Sequence, residues 1–232
     1  MLADYKPSAK TIALLQNMPL VLLVGPTAAG RNTLIGLLVQ TNRYHSIVSK
    51  TTRQPRKNNG IMERSGVEYW FESEETVLEE LRRGEFVEAA IIHKQQVSGT
   101  HIDQVEEASK AGQIAVNEVQ IDGATHIHEY KPDTLCVFLL PPAFDKWMER
   151  IRARGDMDEA ELCRRLESAL REISTALKAG YYQFVINYEI HEATQAVDEL
   201  ANGREINPEK QQLGRDHAEQ LLIDIQLYLE SK

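Results

Sequence analysis

A chain of 232 residues is long enough to bury one α/β core carrying small inserted lobes, and it needs neither a repeat array nor two tandem domains. Its 42% hydrophobic and 26% charged residues are globular values, and a formal net charge of -9 excludes broad attraction to nucleic acid or an anionic membrane, which draw on surplus lysine and arginine. Two cysteines, Cys136 and Cys163, lie in no paired motif and read as inert buried thiols; with no leader-like N-terminus and no apolar run long enough to span a bilayer, a reducing cytoplasm is expected.

In chain order, residues 8–16 predict a short helix within an N-terminal extension, 1–18. From 19 to 30 the run PLVLLVGPTAAG passes from continuous apolar residues to small ones and glycine, and helical apolar spacing follows over 33–40. That order predicts strand, glycine-rich loop and helix. Apolar runs at 46–48, 114–119, 135–140 and 184–186 predict further strands, alternating with helical patterns at 100–111, 143–154, 158–178 and 191–201. Such alternation predicts a mostly parallel sheet covered on both faces. Between 49 and 100 the rhythm changes to a stretch rich in Arg, Pro, Asn and Gly, then EYWF, a helix at 74–83 and the run FVEAAII, which together predict a smaller inserted lobe with strands of its own. His126 and His128, two apart and outside any predicted helix, read as surface residues. The last segment, 201–232, begins with the polar linker NGREINPEKQQLG; Leu221, Leu222, Ile225 and Leu229 then predict a helix over 215–230 that docks or forms a dimer.

The loop itself reads Gly25-Pro26-Thr27-Ala28-Ala29-Gly30-Arg31-Asn32-Thr33. It keeps both glycines and the spacing of G-x-x-x-x-G-K-[ST], a pattern that points backbone N–H groups at phosphate, sets a lysine on the terminal phosphates and a hydroxyl on Mg²⁺. Here Arg31 takes the lysine position and Asn32 the hydroxyl position. Arginine keeps the charge and can grip phosphate with two prongs, but it is bulkier and planar; Asn32 still offers a metal its carbonyl oxygen.

The next segment, Ser49-Lys50-Thr51-Thr52-Arg53-Gln54-Pro55-Arg56 followed by Gly66-Val67-Glu68-Tyr69-Trp70-Phe71, resembles the signature of the guanylate kinase family. The resemblance runs from 19 to about 200 and takes in GEFVE at 84–88, Gly99-Thr100, Pro141-Pro142, RIRARG at 150–155, RRL at 164–166 and VIN at 185–187. It implies a P-loop NTPase-like α/β fold, a parallel sheet flanked by helices, with an inserted GMP-binding lobe at about 49–100 and a helical lid at about 150–165. The implied reaction moves the γ-phosphate of ATP to GMP or dGMP with Mg²⁺, so the partners are small nucleotides and the chain a monomer or homodimer. Arg53 and Arg56, three apart beside a proline, suit a phosphate dianion, and Tyr69 adds a hydroxyl donor. Glu88 matches the family's base-reading glutamate, which accepts from guanine's ring N–H and amino group; Ser49 matches a serine near the base. Arg150, Arg154 and Arg165, with Arg164 an alternative to the last, are implied to converge on the transferring phosphoryl, and Asn187 to line the adenine pocket.

Departures from the family pattern gather on the same functions. The Y-G-T segment reads Val97-Ser98-Gly99-Thr100, so Ser98 stands where a tyrosine would touch the GMP phosphate. In the D-x-D-x-Q-G run, Glu118 keeps the first carboxylate and Gln120 neutralises the second, which leaves Asn32 and Glu118 as the candidate metal ligands; Tyr188 follows Asn187. Two readings follow: a guanylate kinase, active though slow or specialised, or a catalytically impaired kinase-like module that binds a nucleotide or protein partner. Both loop glycines and all three lid arginines are kept, which favours the enzyme.

Overall fold

The run Leu20–Val24 is buried at every position, as a strand covered on both sheet faces must be. It opens the core of a computed structural model that describes residues 5–58, 60–92, 95–153, 157–204 and 207–232. The chain runs α1 (Ala9–Gln16), β1 (Leu20–Val24), α2 (Arg31–Gln40), β2 (Tyr44–Ser46), the short strands β3 (Lys50–Thr51), β4 (Lys57–Asn58), β5 (Ile61–Met62) and β6 (Trp70–Phe71), then α3 (Glu74–Arg82), β7 (Phe86–Ile92), β8 (Gln96–His101) and α4 (Ile102–Lys110). It continues through β9 (Ile114–Glu118), α5 (Ile121–Tyr130), β10 (Leu135–Leu140), α6 (Phe144–Arg152), α7 (Glu159–Ala179), β11 (Gln183–Ile186), α8 (Ile190–Ala201) and α9 (Pro208–Glu230). The central sheet has the order β11-β10-β1-β9-β2, with β1–β10, β10–β11 and β2–β9 parallel. The expected mixed α/β fold is present.

Two compact units divide the chain, one of Met1–Leu20, Asn42–Asn117 and Asp122–Thr134, the other of Val21–Thr41, Glu118–Ile121 and Leu135–Lys232. In the first, β3 pairs with β6 in parallel and with β8 antiparallel, and β8 with β7, giving a second sheet in the order β6-β3-β8-β7. In the second, α2 packs on α8, and α9 on α7 and β11.

Several element boundaries differ from the sequence reading. Strand β2 covers Tyr44–Ser46 and not 46–48, because Tyr44 is fully buried and pairs in register with Ile114. Thr100 and His101, expected to begin a helix, remain in β8 opposite Glu88 and Phe86, so α4 starts at Ile102. Helix α5 was not anticipated: Gly123 and Thr125 weaken the local propensity, while Ile121, Ala124 and Ile127 recur at a spacing of three and are all buried. His126 and His128 therefore stand on a helix, His126 at its exposed side. Helix α9 begins at Pro208, seven residues before the expected start, with proline in the first turn and Asn207 accepting from the Glu209 N–H. It is a docked helix, burying Gly214, Ala218, Leu221 and Ile225, while Leu222 and Leu229 are half-buried. Among the described residues, no helix is long and apolar enough to cross a membrane.

Candidate functional site

The glycine-rich loop belongs to the second unit and depends on glycine at both ends. Gly25 has φ +148° and sits where an added Cβ would lie 2.3 Å from the carbonyl oxygen of Leu139 on the neighbouring strand β10. Gly30, at φ +104°, leads into α2, where a Cβ would lie 2.4 Å from Asn187 Nδ2. Only glycine takes such a conformation and approach without strain. Two loop carbonyls are engaged from outside: Asn187 at the end of β11 donates Nδ2 to the Ala29 oxygen at 2.7 Å, and Trp147 of α6 donates Nε1 to the Thr27 oxygen at 2.8 Å. The N-cap residue of α2, Gly30, has no side chain with which to cap the first turn, so its N–H groups and the positive end of the helix dipole are what the loop presents, a setting suited to phosphate.

Arg31 and Glu118, the latter ending β9, are brought together at 2.9 Å between Nη2 and Oε1, both partly exposed. Asn32 and Thr33 are exposed on the same turn. Arg150 on α6 directs both terminal nitrogens at the Asn187 carbonyl at 3.4 Å. Arg165 donates Nε to Glu161 Oε1 at 2.8 Å, while Arg164 holds the other carboxylate oxygen. Those two arginines, Arg165 first, keep the Glu161 carboxyl below its ordinary range. Arg154 lies outside the described residues.

In the first unit, the remaining residues lie on the β6-β3-β8-β7 sheet or in the segments that join its strands. Arg53 grips both oxygens of Glu63 and lies 4.8 Å over the Tyr69 ring and 5.4 Å over that of Phe71. The hydrogen bond with Glu63 pushes the arginine further above its already high range. Glu63 also accepts the Arg56 backbone N–H at 2.9 Å, leaving the Arg56 side chain exposed. The Ser49 carbonyl accepts from Trp70 N–H, and Ser98 Oγ shares a hydrogen bond of 2.7 Å with Thr51 Oγ1.

Among the described residues, Glu88 on β7 accepts hydrogen bonds at one oxygen. Its Oε1 accepts from the Thr100 N–H at 3.0 Å and the Thr100 hydroxyl at 2.9 Å, and that hydroxyl accepts from Asn117 Nδ2 at 2.8 Å. Oε2 lies on the Gly123 side, 3.2 Å from where a Cβ would stand. Gly99 lets β8 approach β7, since a Cβ there would lie 2.4 Å from the Glu88 carbonyl oxygen. Burial pushes the Glu88 carboxyl above its ordinary value, opposed by the Thr100 hydrogen bonds and by His126. The arrangement is a buried carboxylate with one edge fixed and the other able to accept from a ligand's N–H groups.

Sequence reasoning had not singled out Glu63, Asn117 or Trp147. Asn117 left a signal, a polar residue within the apolar run 114–119 and buried in β9.

A sequence model of the family described as guanylate kinase matches residues 17–203. A guanylate kinase of Corynebacterium diphtheriae is 37% identical over 188 residues, which is 80% of this chain and 95% of that protein. One from Trichormus variabilis is 35% identical over 181 residues, 77% of this chain and 87% of that one. Among solved structures, the guanylate kinase from Anaplasma phagocytophilum superposes with a TM-score of 0.58 at 23% identity, covering 84% and 90% of the two chains, a likeness of fold.

Proposed function

The chain belongs to the guanylate kinase family, and on that premise we propose that it transfers the γ-phosphate of ATP to GMP or dGMP. In this reading the ATP phosphates rest on Gly25, Pro26, Thr27, Ala28, Ala29, Gly30, Arg31, Asn32 and Thr33, with Asn187 fixing the loop's shape from behind. Arg31, Arg150, Arg154 and Arg165 supply positive charge to a phosphoryl group whose transfer is mostly a matter of position and charge stabilisation. Arg53, Arg56, Tyr69 and Ser98 hold the acceptor's phosphate, and Ser49, Glu88, Gly99, Thr100 and Glu118 complete the acceptor half.

Mg²⁺ bound with ATP neutralises charge on the phosphates. Asn32 and Glu118 fit it chemically, being oxygen donors of the kind a hard cation takes, and Arg31 engages Glu118 through Oε1. The finer reading is of a cytoplasmic enzyme of small nucleotides, monomeric or homodimeric, without nucleic-acid or membrane partners. Two relatives that bear the kinase name match along 80% and 77% of the chain, which favours turnover over a module that only binds.

The observation that carries guanine over adenine is the half-satisfied Glu88 carboxylate. Guanine presents a ring N–H and an amino group to it, whereas adenine in the same pose presents an acceptor, a mismatch of roughly a few kcal/mol. Calorimetry with GMP and AMP on the wild type and on Glu88→Ala tests this. GMP should bind at least tenfold tighter than AMP, and the preference should vanish in the variant; equal affinities in the wild type reject the assignment.

A further inference from the structure

Strand β9 carries a polar side chain into its buried run. Asn117, 3% exposed, lies between the buried Val116 and the partly exposed Glu118, and it donates Nδ2 to the Thr100 hydroxyl at 2.8 Å. Leucine, of similar size, would fill this place without taking an amide out of water. What asparagine adds is a donor aimed at a hydroxyl that itself serves Glu88.

The direction of that donation matters. A threonine hydroxyl has one proton to give and lone pairs with which to receive. Thr100 sends its backbone N–H to Glu88 Oε1 at 3.0 Å, which marks this oxygen as an acceptor, and the hydroxyl lies 2.9 Å from the same oxygen. With the Asn117 amide on a lone pair, the hydroxyl proton is left for Glu88. The three groups form a one-way chain from Asn117 through Thr100 to Oε1, and in a buried chain each donation polarises and strengthens the next. An amide turned the other way would set a carbonyl oxygen against the hydroxyl and compete for its proton.

Glu88 thereby acts as an acceptor at both oxygens, Oε1 filled from within the fold and Oε2, on the Gly123 side, left to a ligand. Resting on Glu88 as the residue that selects guanine, we propose that Asn117 is a positioning residue for that selection. Acting through the Thr100 hydroxyl, it commits the hydroxyl proton to Oε1 and leaves Oε2 to the base's ring N–H and amino group. Burial pushes the Glu88 carboxyl above its ordinary value and the Thr100 bonds oppose this, so weakening the chain brings the proton-bound form to higher pH. The other titratable groups that bear on Glu88 are His126 of α5 and Tyr5, which bonds Phe86 of β7. The Tyr5 hydroxyl, pushed up to about 12, keeps its proton near neutral pH, and His126 is common to every variant compared below.

The test is calorimetric GMP affinity from about pH 5 to 8 on the full chain as wild type, Asn117→Leu, Thr100→Val and the double variant, with ATP and AMP affinities and melting temperatures alongside. Asn117→Leu should weaken GMP by about threefold or more near pH 6 and move the acid limb to higher pH, while ATP affinity stays within about twofold. In the Thr100→Val background the same change should leave the acid limb where it was and raise the melting temperature, because it removes an amide that has lost its acceptor. A residue that only fills the core would lower stability in both backgrounds and move neither limb. Where leucine is not accommodated, Asn117→Ala carries the same cycle. An acid limb unmoved by the Asn117 variants in a chain that prefers GMP, or moved equally with and without the Thr100 hydroxyl, overturns the positioning role alone. Equal GMP and AMP affinities in the wild type overturn it together with the assignment of Glu88.

Discussion

Replacing Thr100 by valine keeps the shape of the side chain and deletes one hydroxyl from the chain Asn117–Thr100–Glu88. The lost bonds are the 2.9 Å donation to the Glu88 carboxylate and the 2.8 Å acceptance from Asn117. A hydrogen bond to a charged group contributes about 1.5–3 kcal/mol, and the Asn117 amide, 3% exposed, is left without its acceptor. A loss of about 3 kcal/mol in unfolding free energy is expected, while the Thr100 backbone N–H still holds Glu88 Oε1. The pH dependence is the sharper readout. Burial already raises the Glu88 carboxyl above its ordinary value, and the Thr100 hydroxyl lowers it, so the variant should raise it further. The folded chain then binds this proton more tightly than the unfolded chain, so Glu88's contribution to stability declines as pH rises from the ordinary carboxylate value through the raised one. Guanine needs the ionised form, so GMP affinity should fall as pH drops through the raised value, and Thr100→Val should move that fall to higher pH. Calorimetric GMP affinities from about pH 5 to 8, with thermal unfolding of both proteins, test this. An acid limb that does not move refutes the reasoning.

Three further outcomes are expected. Gly30→Ala puts a Cβ in the left-handed region against Asn187 Nδ2 and breaks the Asn187–Ala29 bond, so it should cost about 2–4 kcal/mol and weaken ATP binding, as unfolding and titration will show. Arg53→Lys removes the two-pronged grip on Glu63 and the stacking over Tyr69; GMP affinity should fall at least tenfold while guanosine affinity stays within about twofold, and equal losses would deny Arg53 a phosphate role. Cys136, buried and with its thiol pushed up to about 12, should resist a thiol reagent in the native protein and react on unfolding, whereas the half-buried Cys163 reacts first.

The phosphate loop was legible in the sequence because its glycines answer to local geometry: the close pass over Leu139 and the left-handed entry to α2 exclude other residues. Parallel strands were legible as short continuous apolar runs. The partners of the site residues were not. Glu63 reaches Arg53 through the fold of the loop between them, and nothing in ten residues of spacing marks that pairing. Asn117 finds Thr100 only once β9 is placed beside its neighbours, although its polarity in an apolar run was a usable sign. Helix α5 was hidden by glycine and threonine, whose poor propensity is outweighed by the burial of Ile121, Ala124 and Ile127. The start of α9 was hidden because Pro208 reads as a linker residue until Asn207 is recognised as its cap.

The central claim is that this chain, with Arg31 and Asn32 in its phosphate loop, turns over. The most direct measurement is ADP release by the wild type at saturating ATP and Mg²⁺, with GMP, dGMP, AMP and UMP supplied in turn. Release that depends on GMP or dGMP, at least tenfold above AMP and UMP, is predicted, with Arg31→Lys/Asn32→Ser changing the rate by about tenfold or less, equivalent to ~1.4 kcal/mol in the barrier. Turnover no greater than an enzyme-free control, with GMP binding intact, would contradict the account.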